Sequence, residues 1–261
     1  MMKPFWRQLT AVAFCAALVA GCETAPVSGR KQLQLLPESQ EVQMGLQAYQ
    51  EILKKEQVSN NPEYNALVQR VGKRIAAATG EDYQWEFKVL EGDKTINAFA
   101  LPGGKVAVYT GLIKFVDNEA QLAAVMGHEV AHATARHGGE RLSQQMLAQV
   151  GVAATAAAMS NREPGTVQAV TALLGAGATV GVLLPYNRLQ ESEADRVGMV
   201  YMAKAGYDPR AAKELWIKMA QGSQGRAKPP EILSTHPADQ TRIAQIEKNM
   251  PEALSYYKGG K

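Results

Sequence analysis

The sequence predicts a helix-dominated α+β fold, and three observations carry that prediction. Apolar residues recur at helical spacing on both sides of the chain's middle, strand-like alternation is confined to one stretch between Trp85 and Thr110, and no repeat at a fixed period stands out.

At the N-terminus, Lys3 and Arg7 precede an apolar run from Leu9 to Ala20 that leads into Gly21-Cys22. The run is too short to span a bilayer, and the small residues before Cys22 match the lipobox of a bacterial lipoprotein signal peptide, in which the cysteine is acylated and becomes the mature N-terminus. The expected organisation is a signal peptide over 1–21, a tether over 22–37 and one domain over 38–261, a length that suits a single sizeable core. From Glu23 to Gln34 the chain is rich in Pro, Ser, Gly, Arg and Lys and reads as linker. Cys15 leaves with the signal and Cys22 carries lipid, so no cysteine pair remains for an intramolecular disulfide. Lys and Arg total 28 against 25 Asp and Glu, and loss of Lys3 and Arg7 nearly balances the two signs. Nothing in that balance suggests a nucleic-acid partner.

Val42, Leu46, Tyr49 and Leu53 then mark a first helix, and a second begins near Asn61-Pro62 with Leu67, Val71 and Ile75 on one face. Trp85, Phe87 and Val89 alternate, and Ile96–Leu101 and Val106–Thr110 flank Pro102-Gly103-Gly104, the pattern of a small sheet with a hairpin. Asp117 can cap a helix running to about Arg141. Leu142–Asn161 and Thr166–Leu184 are free of charge and separated by Arg162-Glu163-Pro164-Gly165. Their Ala, Gly, Gln, Ser and Thr content supplies little insertion energy, so they read as buried or active-site-covering helices rather than a membrane hairpin. Asn187 opens a later helix that Gly206 closes, Asp208-Pro209 starts another, Gln221–Pro230 is loop, and a last helix lies near Pro237.

The chemistry concentrates in His128-Glu129-Val130-Ala131-His132. Two histidines four apart on one helix face aim two ring nitrogens at a single point, which suits one tetrahedral Zn2+ per chain. Glu129 then lies near the remaining position, where a carboxylate takes a proton from water acidified by the metal. His137, on a continuing helix, is rotated about 180° away and reads as a surface or supporting residue. Ala135 and Gly138 stand where a metzincin needs glycine and histidine. Peptide deformylase, which uses a cysteine ligand, is excluded by the lack of a free one. The acidic cluster Glu191-Ser192-Glu193-Ala194-Asp195 supplies the other candidates. Glu191 and Asp195 share a face, so one can bind metal while the other accepts a hydrogen bond from a ligand histidine; Glu193 points away and reads as solvent-facing or ion-paired.

These blocks, with Asn97-Ala98-Phe99-Ala100-Leu101-Pro102-Gly103-Gly104, Asn187-Arg188 and Ser234-Thr235-His236-Pro237 followed by Arg242-Ile243, resemble the HtpX and CAAX prenyl protease type of zinc endopeptidase, a gluzincin family, and more closely its periplasmic lipoprotein branch. The resemblance implies a zincin-like domain with a small sheet and an active-site helix. It also implies zinc ligands His128, His132 and Glu191, general base Glu129, and Asp195 as a supporting carboxylate. Along Asn97, Ala98, Phe99 and Ala100, or along Val106–Thr110, it implies an edge on which a substrate lies extended. Main-chain hydrogen bonds of that kind hold a peptide whatever its sequence. His236, in a family block after a loop, reads as an oxyanion stabiliser or as a gating ligand in a resting state; Tyr186 and Arg242 are further candidates for electrostatic work. The expected activity is hydrolysis of misfolded or unassembled envelope polypeptides, by a protein held to the membrane through lipid on Cys22. Because Glu23 is not the aspartate that retains lipoproteins at the inner membrane, the expected site is the outer membrane facing the periplasm. A zinc-containing, chaperone-like scaffold that binds unfolded chains without turnover is the alternative reading. The sequence leaves the oligomer open.

Overall fold

The computed structural model describes residues 22–178, 184–223, 230–237 and 240–259. The signal-peptide reading therefore falls outside the described residues, as does most of the expected loop before Pro230. The chain forms two compact units, one of 1–38 and 137–188, the other of 39–136 and 189–261.

In the first unit, the stretch expected as linker is instead a paired ribbon. Strands β1 (Cys22–Thr24) and β2 (Lys31–Leu33) are antiparallel, with Glu23 opposite Gln32. The turn between them is closed by Ala25 N–H donating to Arg30 O at 2.8 Å. Two tertiary contacts hold what composition alone could not reveal. Arg30 makes two 2.7 Å bonds to the buried carboxylate of Glu140, and Leu35 N–H donates to Ser143 Oγ at 2.9 Å. Glu140 and Ser143 belong to α5 (His137–Ala158), which packs on α6 (Pro164–Ala178). They carry the two charge-free segments, and of the buried-or-covering expectation the buried branch fails beyond Gln144. Beyond Gln144 every described side chain is half-buried or exposed, with Val150 and Leu173 among the most open. Their Ala- and Gly-rich faces offer little area to bury. No helix among the described residues is long and apolar enough to cross a membrane.

The second unit starts with α1 (Glu38–Lys55) and α2 (Pro62–Thr79). Asn61 caps α2, its Oδ1 accepting from Glu63 and Tyr64 N–H, and Gly80 ends it at φ 79°. Val68, Val71 and Ile75 form the buried face of α2. The sheet has the order β3 (Glu86–Leu90), β5 (Lys105–Tyr109), β4 (Ala98–Leu101). The β4–β5 hairpin agrees with the sequence reading, turning through Gly103 and Gly104 at positive φ; β3 joins β5 in parallel. After the short α3 (Thr110–Phe115) comes α4 (Glu119–Thr134).

Helix α4 is where the structure departs most from expectation. Asn118, not Asp117, caps it, and it stops at Thr134 instead of running to Arg141. Arg136 takes φ 54°, and its buried guanidinium bonds Glu41 of α1 at 2.6 Å. That tertiary pair holds a left-handed residue at a non-glycine position; the nearby Gly138 and Gly139 lie inside the next helix. From Gln121 to Thr134 every residue of α4 is buried, as in a central helix. The unit continues with α7 (Leu184–Lys204), which Gly206 terminates at φ 83°, then α8 (Arg210–Ser223), α9 (Ile232–Thr235) and α10 (Gln240–Tyr256). Leu215 and Met219 of α8 and Ile246 of α10 complete the core.

Candidate metal centre

His128 and His132 project from α4 one turn apart, and Glu191 and Asp195 project from α7 in the same way. The two helices meet backbone to backbone. A Cβ on Gly198 would sit 2.8 Å from Gly127 C and from His128 N, and one on Gly127 would sit 2.8 Å from Gly198 O. Only two glycines permit this approach, and it brings the donors of both helices to one place.

His128 Nε2 lies 3.1 Å from His132 Nε2 and 3.1 Å from His236 Nδ1. Glu191 Oε2 is 3.4 Å from His128 Nε2 and 2.8 Å from His236 Nδ1, while Oε1 is 3.3 Å from His132 Nε2. Among the described residues these four side chains form the group able to hold a metal ion. A tetrahedron with bonds of about 2.0–2.1 Å has edges of about 3.3 Å, so the spacing fits nitrogen and oxygen ligands of zinc size. Charge fits as well. Two buried carboxylic side chains, Glu129 and Asp195, and the half-buried Glu191 stand with the one guanidinium of Arg242, an acid-rich set that suits a cation.

A carboxylate can only accept, so at the 2.9 Å contact between His128 Nδ1 and Asp195 Oδ1 the ring nitrogen is the donor, and the neutral ring in this orientation presents its Nε2 lone pair to the group. Burial and the nearby Arg242 lower the His128 pKa, but hydrogen bonding to Asp195 and Glu191 outweighs them and raises it to about 9. Burial raises Glu191 and Asp195. In Glu191, hydrogen bonds from the three histidines outweigh that and hold it far below the usual carboxylate range; in Asp195, Arg242 and His128 do the same.

Glu129 Oε1 is buried with no hydrogen-bond partner among the described residues, and His236 Nε2 lies 3.5 Å from it. An orphaned carboxylate oxygen beside a group of side chains able to hold a metal fits a site built around a cation and water.

Residues 62–250 match the pattern of peptidase family M48. The chain belongs to peptidase family M48. Among curated M48-type relatives, the mitochondrial metalloendopeptidase OMA1 of Schizosaccharomyces pombe is 38% identical over 251 residues, covering 91% of this chain and 71% of that one. OMA1 of Saccharomyces cerevisiae is 29% identical over 278 residues, covering 94% and 76%. The β-barrel assembly-enhancing protease of Escherichia coli is 32% identical over 234 residues, covering 87% of this chain but 47% of that one, so the chain spans about half the length of that relative. This M48 chain is therefore a metalloprotease, with an implied metal cofactor and polypeptide substrates.

The structure gathers His128, Glu129, His132, Glu191, Asp195 and His236 of the M48 chain into one cluster. Asn97–Ala100 lie at or on β4, one edge of the three-stranded sheet in which β5 is central, and β4 packs on α4. One branch of each of two expectations falls: the surface reading of His137 and the solvent-facing reading of Glu193. His137 is fully buried rather than at the surface and stands outside the metal-capable group, because α4 ends before it and helical phase no longer applies. Glu193 is buried rather than solvent-facing, and likewise outside that group. The Tyr186 side chain lies outside the described residues. Gly198 and Trp216 went unnoticed in the sequence. For Gly198 a signal existed, a glycine two turns beyond Glu191 on the same face; for Trp216 there was none.

Proposed function

We propose that this M48 chain is a zinc endopeptidase in which His128, His132 and Glu191 hold the metal, Glu129 is the general base and Asp195 fixes His128. The observation that carries the reading is the orphaned, buried Glu129 Oε1 beside the convergent donors. Bound zinc would supply Lewis acidity there, acidifying water and polarising the scissile carbonyl. Glu129 takes the proton of the attacking water on Oε1 and returns it to the leaving amine. The substrate lies along Asn97–Ala100 as an added strand, held by main-chain hydrogen bonds that ignore its sequence. His236 either steadies the developing oxyanion or, through Nδ1, occupies the position that substrate must take.

The reading extends to the protein's place and diet. Residues 1–21 act as a lipoprotein signal, lipid on Cys22 holds the chain to the outer membrane facing the periplasm, the ribbon region 22–37 leads into a metallopeptidase domain over 38–261, and unfolded or unassembled envelope proteins are cut. Support comes from the charged, apolar and small-residue order that ends at Cys22, and from a relative named for β-barrel assembly. Other relatives are named mitochondrial, so the envelope reading rests on the N-terminal sequence.

Glu129→Gln tests the mechanism. The variant should retain one zinc by elemental analysis and lose casein cleavage by about 100- to 10,000-fold, the usual contribution of a general base. Retained zinc with unchanged cleavage would sink the assignment.

A further inference from the structure

The guanidinium of Arg242, near the start of α10, is buried beside the candidate site. It is 7% exposed and stacks at 3.4 Å on the ring of Trp216 from α8. Its Nε donates to Asp195 Oδ2 at 2.8 Å and its Nη2 to Asp195 Oδ1 at 2.7 Å. Its Nη1 donates to the carbonyl of Pro237 at 3.2 Å and lies 3.3 Å from Glu191 Oε2. Nη2 also lies 3.2 Å from His128 Nδ1 and 3.3 Å from His128 Nε2; Nδ1 directs its own proton to Asp195 and so does not accept from Nη2.

We propose that Arg242 is a positioning residue of the metal centre: stacked on Trp216, it grips both oxygens of Asp195 and so fixes the carboxylate that orients His128, while anchoring the turn that carries His236. The inference rests on the ligand roles proposed for His128 and Glu191. An aspartate's terminal torsion is soft, and one bond to an imidazole does not fix it. A planar fork engaging both oxygens does, and the aromatic face beneath fixes the fork. Asp195 Oδ1 then lies where it accepts from Nδ1 of His128, and the Nε2 lone pair points to the donor cluster. The contact to Pro237 extends the same grip to the residue after His236. The contacts of Arg242 run to Asp195, Glu191, His128, Pro237 and Trp216, and it acts through these neighbours.

The test compares Arg242→Lys, Arg242→Met, Asp195→Asn and the Arg242→Met/Asp195→Asn pair with the wild-type full chain. Zn2+ affinity is read by competition with a chromogenic chelator, and the visible spectrum of the Co2+ form is recorded. Melting of the metal-stripped proteins reports the fold. Arg242→Met and Asp195→Asn should each weaken zinc by about 10- to 100-fold, as loss of an outer-shell partner does, and the pair should be no weaker than the worse single variant. Arg242→Lys keeps the charge and much of the volume but not the fork. It should fold and still bind zinc several-fold more weakly, with an altered Co2+ spectrum. If Arg242→Lys matches wild type in zinc affinity and spectrum, or the paired losses simply multiply, Arg242 does not act through Asp195. A wild-type chain that takes up no zinc would instead break the ligand assignment itself.

Discussion

Replacing Gly198 by alanine perturbs the metal centre without touching any side chain in it. The added Cβ would lie 2.8 Å from Gly127 C and His128 N and 3.0 Å from Gly127 O, all backbone. Ordinary carbon contacts fall at about 3.5–4.0 Å, so α4 and α7 must part by roughly 0.7–1 Å. Glu191 rides on α7 and the histidines on α4, so the 3.3 and 3.4 Å donor separations between them widen by a similar amount. Metal–ligand distances tolerate only about 0.2 Å. Overpacking costs about 1–3 kcal/mol, and alanine's better helix propensity returns about 1 kcal/mol, so the metal-free protein loses only about 0–2 kcal/mol. Zinc affinity should fall by at least about tenfold, equivalent to about 1.4 kcal/mol. Chelator competition measures the affinity and thermal melts of the stripped protein measure the fold. Gly151→Ala, where a Cβ meets nothing within 4 Å, serves as the control and should leave affinity unchanged. Wild-type zinc affinity in Gly198→Ala would show that the helix crossing does not set ligand spacing.

His236→Ala separates the two roles of that histidine: lower peptidase activity supports oxyanion stabilisation, higher activity supports gating, and an unchanged rate removes both. Cys22→Ser should abolish incorporation of labelled fatty acid and release the chain from membranes without detergent; persistent membrane retention would count against the lipid anchor. Glu119 is held below the usual glutamate range by its hydrogen bonds with Arg70, against burial that raises it, with Tyr207 OH helping at 2.6 Å. A folded pKa below the unfolded one stabilises above about pH 4.5 and is lost as pH falls through the folded value. Glu119→Gln should therefore flatten the acid limb of urea-unfolding midpoints between pH 5 and about pH 3, and an acid limb equal to wild type's would rule the contact out as a contributor.

Local signals reported what local physics controls. Asn61 with Pro62 and the Pro102-Gly103-Gly104 turn mark element ends by their own conformational preferences, and the structure keeps both. The four-residue steps within His128–His132 and Glu191–Asp195 follow from helix geometry alone. What stayed hidden depends on partners distant in sequence. The end of α4 rests on Arg136 meeting Glu41, the ribbon of 22–33 on Arg30 meeting Glu140, and the parallel register of β3 on a neighbour after an intervening strand. Glu193 looks solvated as one of three acids in five residues, and its burial is decided by the packing of α7. The weight of Arg242 shows only when Trp216, Asp195 and Pro237 surround it.

The contact of Gly127 with Gly198 also bears on how the chain folds. It closes a loop containing the entire segment from His137 to Arg188, most of the first compact unit. Closure entropy grows only logarithmically, so doubling such a loop costs about 0.6 kcal/mol. The segment can therefore lengthen, shorten or be exchanged with little thermodynamic effect on the helix crossing. Its influence falls instead on rate, because the crossing forms only after its distant halves have found each other. Donors on α4 meet those on α7 only once that long-range crossing has formed, and a chain still searching for it has no assembled donor cluster.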